Sequence, residues 1–109
     1  MSYSVFLTDD AANDLEELHE YIAIHDSPRK ADTWLASVER IVTRLSDSPN
    51  RGSYPKELMA LGIREYRQVL FKPYRIIYRV IEKDVIVLLI TDGRRDIPSL
   101  LERRLFNAE

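Results

Sequence analysis

The sequence predicts an α+β domain, an antiparallel sheet with a helical hairpin packed on one face, and three observations carry that expectation. Tyr74, Ile76, Tyr78 and Val80 alternate with Arg75, Ile77, Arg79 and Ile81, the two-residue period of a strand with unlike faces. Val85 to Ile90 is an unbroken apolar run, as in a strand buried on both sides. Ahead of both, two stretches repeat apolar residues at steps of three and four, as amphipathic helices do. The order is β-α-α-β-β-β with a short C-terminal helix, in one domain over residues 1–109.

Each element has local signals. Tyr3 to Leu7 is a β-prone run. Thr8 follows as an N-cap, with Asp9 and Asp10 in the first turn, where carboxylates suit the positive end of the helix dipole. Ala11, Leu15, Leu18 and Ile22 form the stripe of this first helix, and its other faces are acidic. Ser27-Pro28 reads as a cap followed by proline at the first helical position. The second stripe is Ala31, Trp34, Val38, Ile41 and Leu45, so the two helices form a hairpin. Ser46 to about Gly62 reads as a long irregular connection. Ile63 to Phe71 is the next predicted strand, and Lys72-Pro73 turns it into the strand from Tyr74, although this pair lacks Asn-Gly hairpin chemistry. A two-residue turn there sets Arg75 opposite Leu70 and Arg79 opposite Tyr66. Glu82 to Asp84 break the chain before the apolar strand, and Asp92-Gly93 end that strand and release Arg94 and Arg95. After Ile97-Pro98, SLLERRLF reads as a short terminal helix with an apolar face to dock.

Composition narrows the chemistry. With no cysteine there is no disulfide, thiolate metal site or thiol nucleophile, and His19 and His25 stand six apart, off the spacing of a helical metal pair. No metal or other cofactor is expected. No window approaches a membrane span, and Met1 is followed by neither a basic start nor an apolar core, so the expectation is a cytoplasmic protein without membrane contact. The net charge of −2 hides an asymmetry: residues 1–61 hold 6 basic and 11 acidic side chains, and residues 62–109 hold 10 and 7. The basic second half permits an anionic partner, but the chain is not basic enough for a general nucleic-acid binder.

With PYRIIYRV at Pro73 to Val80, GRRD at Gly93 to Asp96 and TDDAANDLEEL at Thr8 to Leu18, this order of elements resembles the RelE/ParE superfamily of bacterial toxin–antitoxin toxins, which includes plasmid-stabilisation proteins. The resemblance runs from Tyr3 to about Leu105 and implies one of two mechanisms. RelE-like members cut mRNA in the ribosomal A site without metal, using arginines and lysines around the phosphate together with a tyrosine or histidine. ParE-like members poison DNA gyrase and lack most of that set.

Metal-free cleavage needs the 2′-OH activated, the leaving oxygen protonated and the phosphorane charge stabilised. By resemblance, Arg75 matches the strand arginine that contacts the phosphate, and Arg94 or Arg95 the basic position after the last strand. The acid and base have no match: Ile97 to Glu109 contains neither tyrosine nor histidine, and the strand before Lys72 holds no lysine. Tyr66, Tyr74 and Tyr78 are the available substitutes, and on strands they read first as packing. The resemblance is therefore closer to ParE, a gyrase inhibitor, with a ribosome-dependent mRNA endoribonuclease as the alternative. Arg75, Arg94 and Arg95 are catalytic only in that alternative, and otherwise contact the target or the antitoxin. A plainer role for Arg94 and Arg95 is pairing with Asp92, Asp96 or an acid of the first helix. The resemblance also implies a cognate antitoxin, ParD-like or RelB-like, whose C-terminal segment folds on the toxin. The basic second half would suit an acidic and apolar tail.

Overall fold

Two hydroxyls start the helical hairpin where the sequence places them. In the computed structural model, which describes residues 2–106, Thr8 Oγ1 accepts from Ala11 N–H at 3.1 Å and opens α1 (Asp9–His25). Ser27 Oγ accepts from Lys30 N–H at 3.1 Å and opens α2 (Pro28–Arg44), with Pro28 in its first turn. The two helices cover one face of a four-stranded sheet. There Ala11, Trp34, Val38, Val42 and Leu45 pack on Ile76, Tyr78, Val85, Val87 and Ile90.

The sheet is built from β1 (Ser4–Leu7), β2 (Tyr66–Phe71), β3 (Tyr74–Ile81) and β4 (Asp84–Asp92), in the spatial order β1-β4-β3-β2. A cis Lys72–Pro73 peptide makes the β2–β3 turn, and the register is the expected one, Leu70 opposite Arg75 and Tyr66 opposite Arg79. The β2–β3–β4 meander is antiparallel. β1 departs from that pattern, pairing parallel to β4 because the chain crosses the sheet through the helices before it returns.

The region from Ser46 to Gly62 is more ordered than its composition suggests. It contains a helical turn, α3 (Lys56–Met59), which ends with Gly62 at φ +78°. Gly62 N–H donates to Met59 O at 2.9 Å and Ile63 N–H to Leu58 O at 2.9 Å, the paired bonds of a Schellman motif. Ile63 is used in that stop, and its side chain packs in the same cluster as Leu58. The predicted strand from Ile63 therefore starts only at Tyr66.

The terminal helix, α4 (Ile97–Phe106), docks on the sheet face opposite the hairpin. Ile97 and Leu101 join Leu58, Tyr66, Ile77 and Leu89 in a second core. Asp96 caps α4, its carboxylate accepting from Ser99 N–H at 3.3 Å and Ser99 Oγ at 2.9 Å. The sheet is thus covered on both faces, which accounts for the continuous apolar run in β4.

Tyr78 ties the long connection to this core. Its side chain is fully buried, its hydroxyl donates to Pro49 O at 2.7 Å, and it accepts from Gly52 N–H at 3.0 Å. A Cβ on Gly52 would lie 2.6 Å from both that hydroxyl and Gln68 O, so only glycine lets the backbone come this close. Tyr78→Phe leaves a buried carbonyl and N–H without this partner. The expected cost is about 1–3 kcal/mol with the fold retained, seen as a lower urea midpoint at unchanged slope.

Candidate functional site

Two turns meet at one end of the sheet. Gly93 N–H donates to Pro73 O at 2.7 Å, joining the β4–α4 turn to the β2–β3 turn. A Cβ at Gly93 would fall 3.0 Å from both Pro73 O and Arg75 Cδ, so any larger residue would crowd this junction. The junction gathers Lys72, Tyr74, Arg94 and Arg95 at one edge. Tyr74 lies edge-on to Trp34, 5.4 Å between centroids, and partial burial, with Asp92 and Tyr21 nearby, raises its phenol pKa. Tyr21 is exposed and stacks on His25 at 4.0 Å.

Arg94 is 89% exposed and turns back on Asp92. Its Nε donates to Oδ1 at 3.1 Å and its Nη2 to Oδ2 at 3.1 Å. The pairing holds the Asp92 carboxyl below its usual range and raises the guanidinium. This is one of the partners expected from sequence. Exposed pairs of this kind are worth little and open readily to a competing anion. Arg95 is also exposed, with no side-chain hydrogen bond or ion pair among the described residues.

Arg75 is in a different situation. It is buried, and Glu57 of α3 takes its guanidinium in a fork, Nη1 to Oε2 at 2.6 Å and Nη2 to Oε1 at 2.8 Å. Its Nε donates to Gln68 Oε1 at 2.8 Å, and Nη1 also reaches Gly93 O at 3.3 Å. Four of its five N–H directions are thereby used. The structure places Arg75 beneath the turn that carries Arg94 and Arg95, but engages it with protein, while they face solvent. Glu57 and Gln68 were not singled out in the sequence. Glu57 lies on a helical turn that composition does not announce, and its spacing from Arg75 carries no periodic signal.

The acid of the first helix also has a cation other than the expected one. Asp14 receives Arg104, not Arg94 or Arg95, with Nη2 to Oδ1 at 2.7 Å and Nη1 to Oδ2 at 2.9 Å. Asp10 lies 3.8 Å from Arg104 Nε. Arg67 is likewise occupied, donating to Gly52 O at 2.8 Å and to Tyr54 Oη at 3.1 Å. Arg79 lies over Tyr66 and Lys83 over Tyr3. Much of the basic excess of the second half is therefore engaged inside the molecule. Arg64, Lys72, Arg95 and Arg103 are its cations without such a partner among the described residues.

The tyrosines offered as proton-transfer groups occupy packing positions. Tyr78 is saturated in the core, with burial pushing its phenol up, and Tyr66 is 5% exposed under Arg79. Only Tyr74 lies beside the cationic turn. Among the described residues, no three histidine or acidic side chains converge as a metal set.

Known proteins resemble this chain in sequence and in fold. Residues 5–97 match the family of ParE toxins of type II toxin–antitoxin systems, parDE. The chain is 27% identical over 100 residues to Toxin ParE3 of Caulobacter vibrioides, covering 92% of this chain and 96% of that protein. Among solved structures it resembles a chain of the chromosomal ParDE system of P. aeruginosa, with a TM-score of 0.70, 23% identity, and 84% and 96% of the two chains covered. It also resembles a chain of the RelBE2 toxin–antitoxin complex of Mycobacterium tuberculosis, with a TM-score of 0.58, 23% identity, and 84% and 92% covered. The structural likenesses establish the fold.

The Arg75–Glu57 pair has a measurable pH signature. The fork from Arg75 lowers the Glu57 carboxyl from 4.5 to about 2. A carboxyl depressed in the folded state stabilises it above the unfolded pKa, and that stability is lost as pH falls toward the folded value. Stability is therefore expected to decline between about pH 4.5 and about pH 2. Glu57→Gln is expected to flatten the decline in that window, measured by urea unfolding at pH 5, 3.5 and 2.5. Arg75→Ala, which removes a buried partner and its packed stem, is expected to cost about 2–4 kcal/mol at pH 7.

Proposed function

The chain belongs to the ParE toxin family of type II toxin–antitoxin systems, and from that membership we propose that it arrests growth by poisoning DNA gyrase in the cytoplasm, restrained by a cognate ParD-like antitoxin. The observation that carries the choice of target is the state of Arg75. A ribonuclease of the RelE type needs its strand arginine free to meet a phosphate, and here Glu57 occupies that guanidinium as an internal anion. A phosphate would have to displace a forked, charge-assisted pair at 2.6 and 2.8 Å.

The surface that remains suits a protein target. Arg94, Arg95 and Lys72 are exposed cations beside the partly buried ring of Tyr74. Arginine and tyrosine on a fixed turn are the residue types that dominate protein contacts. The antitoxin part of the reading draws on the two structural neighbours, one from a ParDE system and the other from a RelBE2 toxin–antitoxin complex. No helix among the described residues is long and apolar enough to cross a membrane.

Inducing the chain alone in a bacterial host, and scoring plasmid supercoiling and ribosome-bound mRNA in the same samples, tests the proposal. The expected outcome is cleaved or relaxed plasmid with intact mRNA. Cut mRNA with normal supercoiling overturns it in favour of the endoribonuclease. Arg94→Ala with Arg95→Ala is expected to lower potency at least tenfold, about 1.4 kcal/mol or more, the scale of losing an arginine anchor. Both side chains are exposed, so the thermal midpoint of that double variant is expected to stay at the parental value.

A further inference from the structure

A second surface lies on the α4 face of the sheet, separate in character from the cationic turn. Between α4 and the α3–β2 connection runs an open groove of ≈ 600 Å³, within the range of about 300–1,000 Å³ that takes a ligand or several large side chains. Its walls are apolar: Leu61, Ile63, Tyr66, Leu101, Leu105 and Phe106. Three of these are well exposed, Leu61 at 63%, Leu105 at 45% and Phe106 at 83%. Glu65 and Glu102 also line it, and neither has a hydrogen-bond or ion-pair partner among the described residues. An apolar patch with unpaired charge of one sign on its rim marks a site for a partner of opposite sign.

We propose that this groove seats an apolar segment of the antitoxin flanked by lysine or arginine, an inference that rests on the toxin–antitoxin reading above. The sign is specific to this place. An acidic tail, as the charge of the second half suggests, suits the Arg94–Arg95 turn, whereas Glu65 and Glu102 repel it here. Strand addition at the nearby sheet edge is restricted. Ser53 already bridges the outer side of β2, with Ser53 N–H to Gln68 O at 3.0 Å and Gln68 N–H to Ser53 O at 2.7 Å. A strand added along that edge would have to displace Ser53, whereas side chains can enter the groove with the edge left as it is. A second copy of this chain is a poorer occupant. A two-fold contact sets the same patch against itself, bringing both copies of Glu65 and Glu102 to one seam.

The test uses the purified full-length chain and the purified product of the adjacent antitoxin reading frame, with binding measured by calorimetry. Leu105→Glu with Phe106→Glu changes exposed side chains, and an unchanged thermal midpoint will confirm that the variant folds. The proposal expects about 100-fold weaker binding for that pair, the scale of losing a central apolar anchor. It expects about tenfold weaker binding for Glu65→Lys with Glu102→Lys, and that loss should shrink as salt is raised. Parental affinity in both folded double variants would overturn the groove while leaving the antitoxin reading intact. No binding by the folded parental chain would overturn both. A parental dimer that the Leu105–Phe106 variant dissociates, with antitoxin affinity unchanged, would assign the groove to a second copy and overturn the proposal.

Discussion

Beyond Val87, β4 has outrun its parallel neighbour, because β1 ends at Leu7. An interior strand that loses a neighbour exposes backbone donors and acceptors, and those groups must be paired or solvated. Two side chains take over. Asp14 Oδ2 accepts from Ile90 N–H at 3.0 Å, and Arg104 Nη1 donates to Leu88 O at 2.8 Å. The register slips at this point, with Ile77 opposite Leu89 and Tyr78 opposite Val87, so Leu88 is the extra residue of a bulge. Asp14 and Arg104 are forked to each other, and the partly buried carboxylate raises the guanidinium further. One ion pair thus completes β4, joins α1 to α4 across the sheet edge, and holds the helix that walls the groove. Lysine could not replace Arg104, since only a planar fork serves the carboxylate and the carbonyl together.

The same use of arginine as an internal connector recurs at buried Arg75 and half-buried Arg67. Arg75 joins β3 to α3 through Glu57 and to β2 through Gln68, and Arg67 holds the connection around Gly52. In each case the guanidinium satisfies carbonyls or carboxylates that a small domain has no further layer to cover. A chain of 109 residues buries a limited core. Its partly buried charges are therefore matched closely, and the side chains left for outside partners are the ones these networks omit.

Period and capping chemistry made much of this fold legible. The Thr8 and Ser27 caps, both helical stripes, the β2–β3 register and the full length of β3 follow from spacing alone, because each is set by neighbours a few residues away. The parallel docking of β1, the α3 turn and the side of the sheet chosen by α4 depend on contacts between distant segments. No local period encodes those. The candidate site divides along the same line. Arg94 and Arg95 are readable because a glycine turn follows an apolar strand, whereas Glu57 and Asp14 find their arginines 18 and 90 residues away. Arg75 shows how residue type and environment carry separate information. Resemblance matches it to a strand arginine that contacts phosphate in RelE-like members, and the folded chain adds a carboxylate, Glu57, on its guanidinium.

The two outward surfaces differ in sign, and α4 connects them. Its capped start at Asp96 follows directly from the Arg94–Arg95 turn, and its far end supplies Leu105 and Phe106 to the groove. A helix of 10 residues is about 15 Å long, a span that about five extended residues cross. On the reading proposed above, a single antitoxin segment covering that span would put a basic, apolar stretch in the groove and an acidic stretch on the turn. Reversing that polarity sets like charges together at both ends. A segment ordered in this way would be selected by the sequence of its charges as well as by its apolar residues, so a chain of equal hydrophobicity but opposite charge order is disfavoured twice.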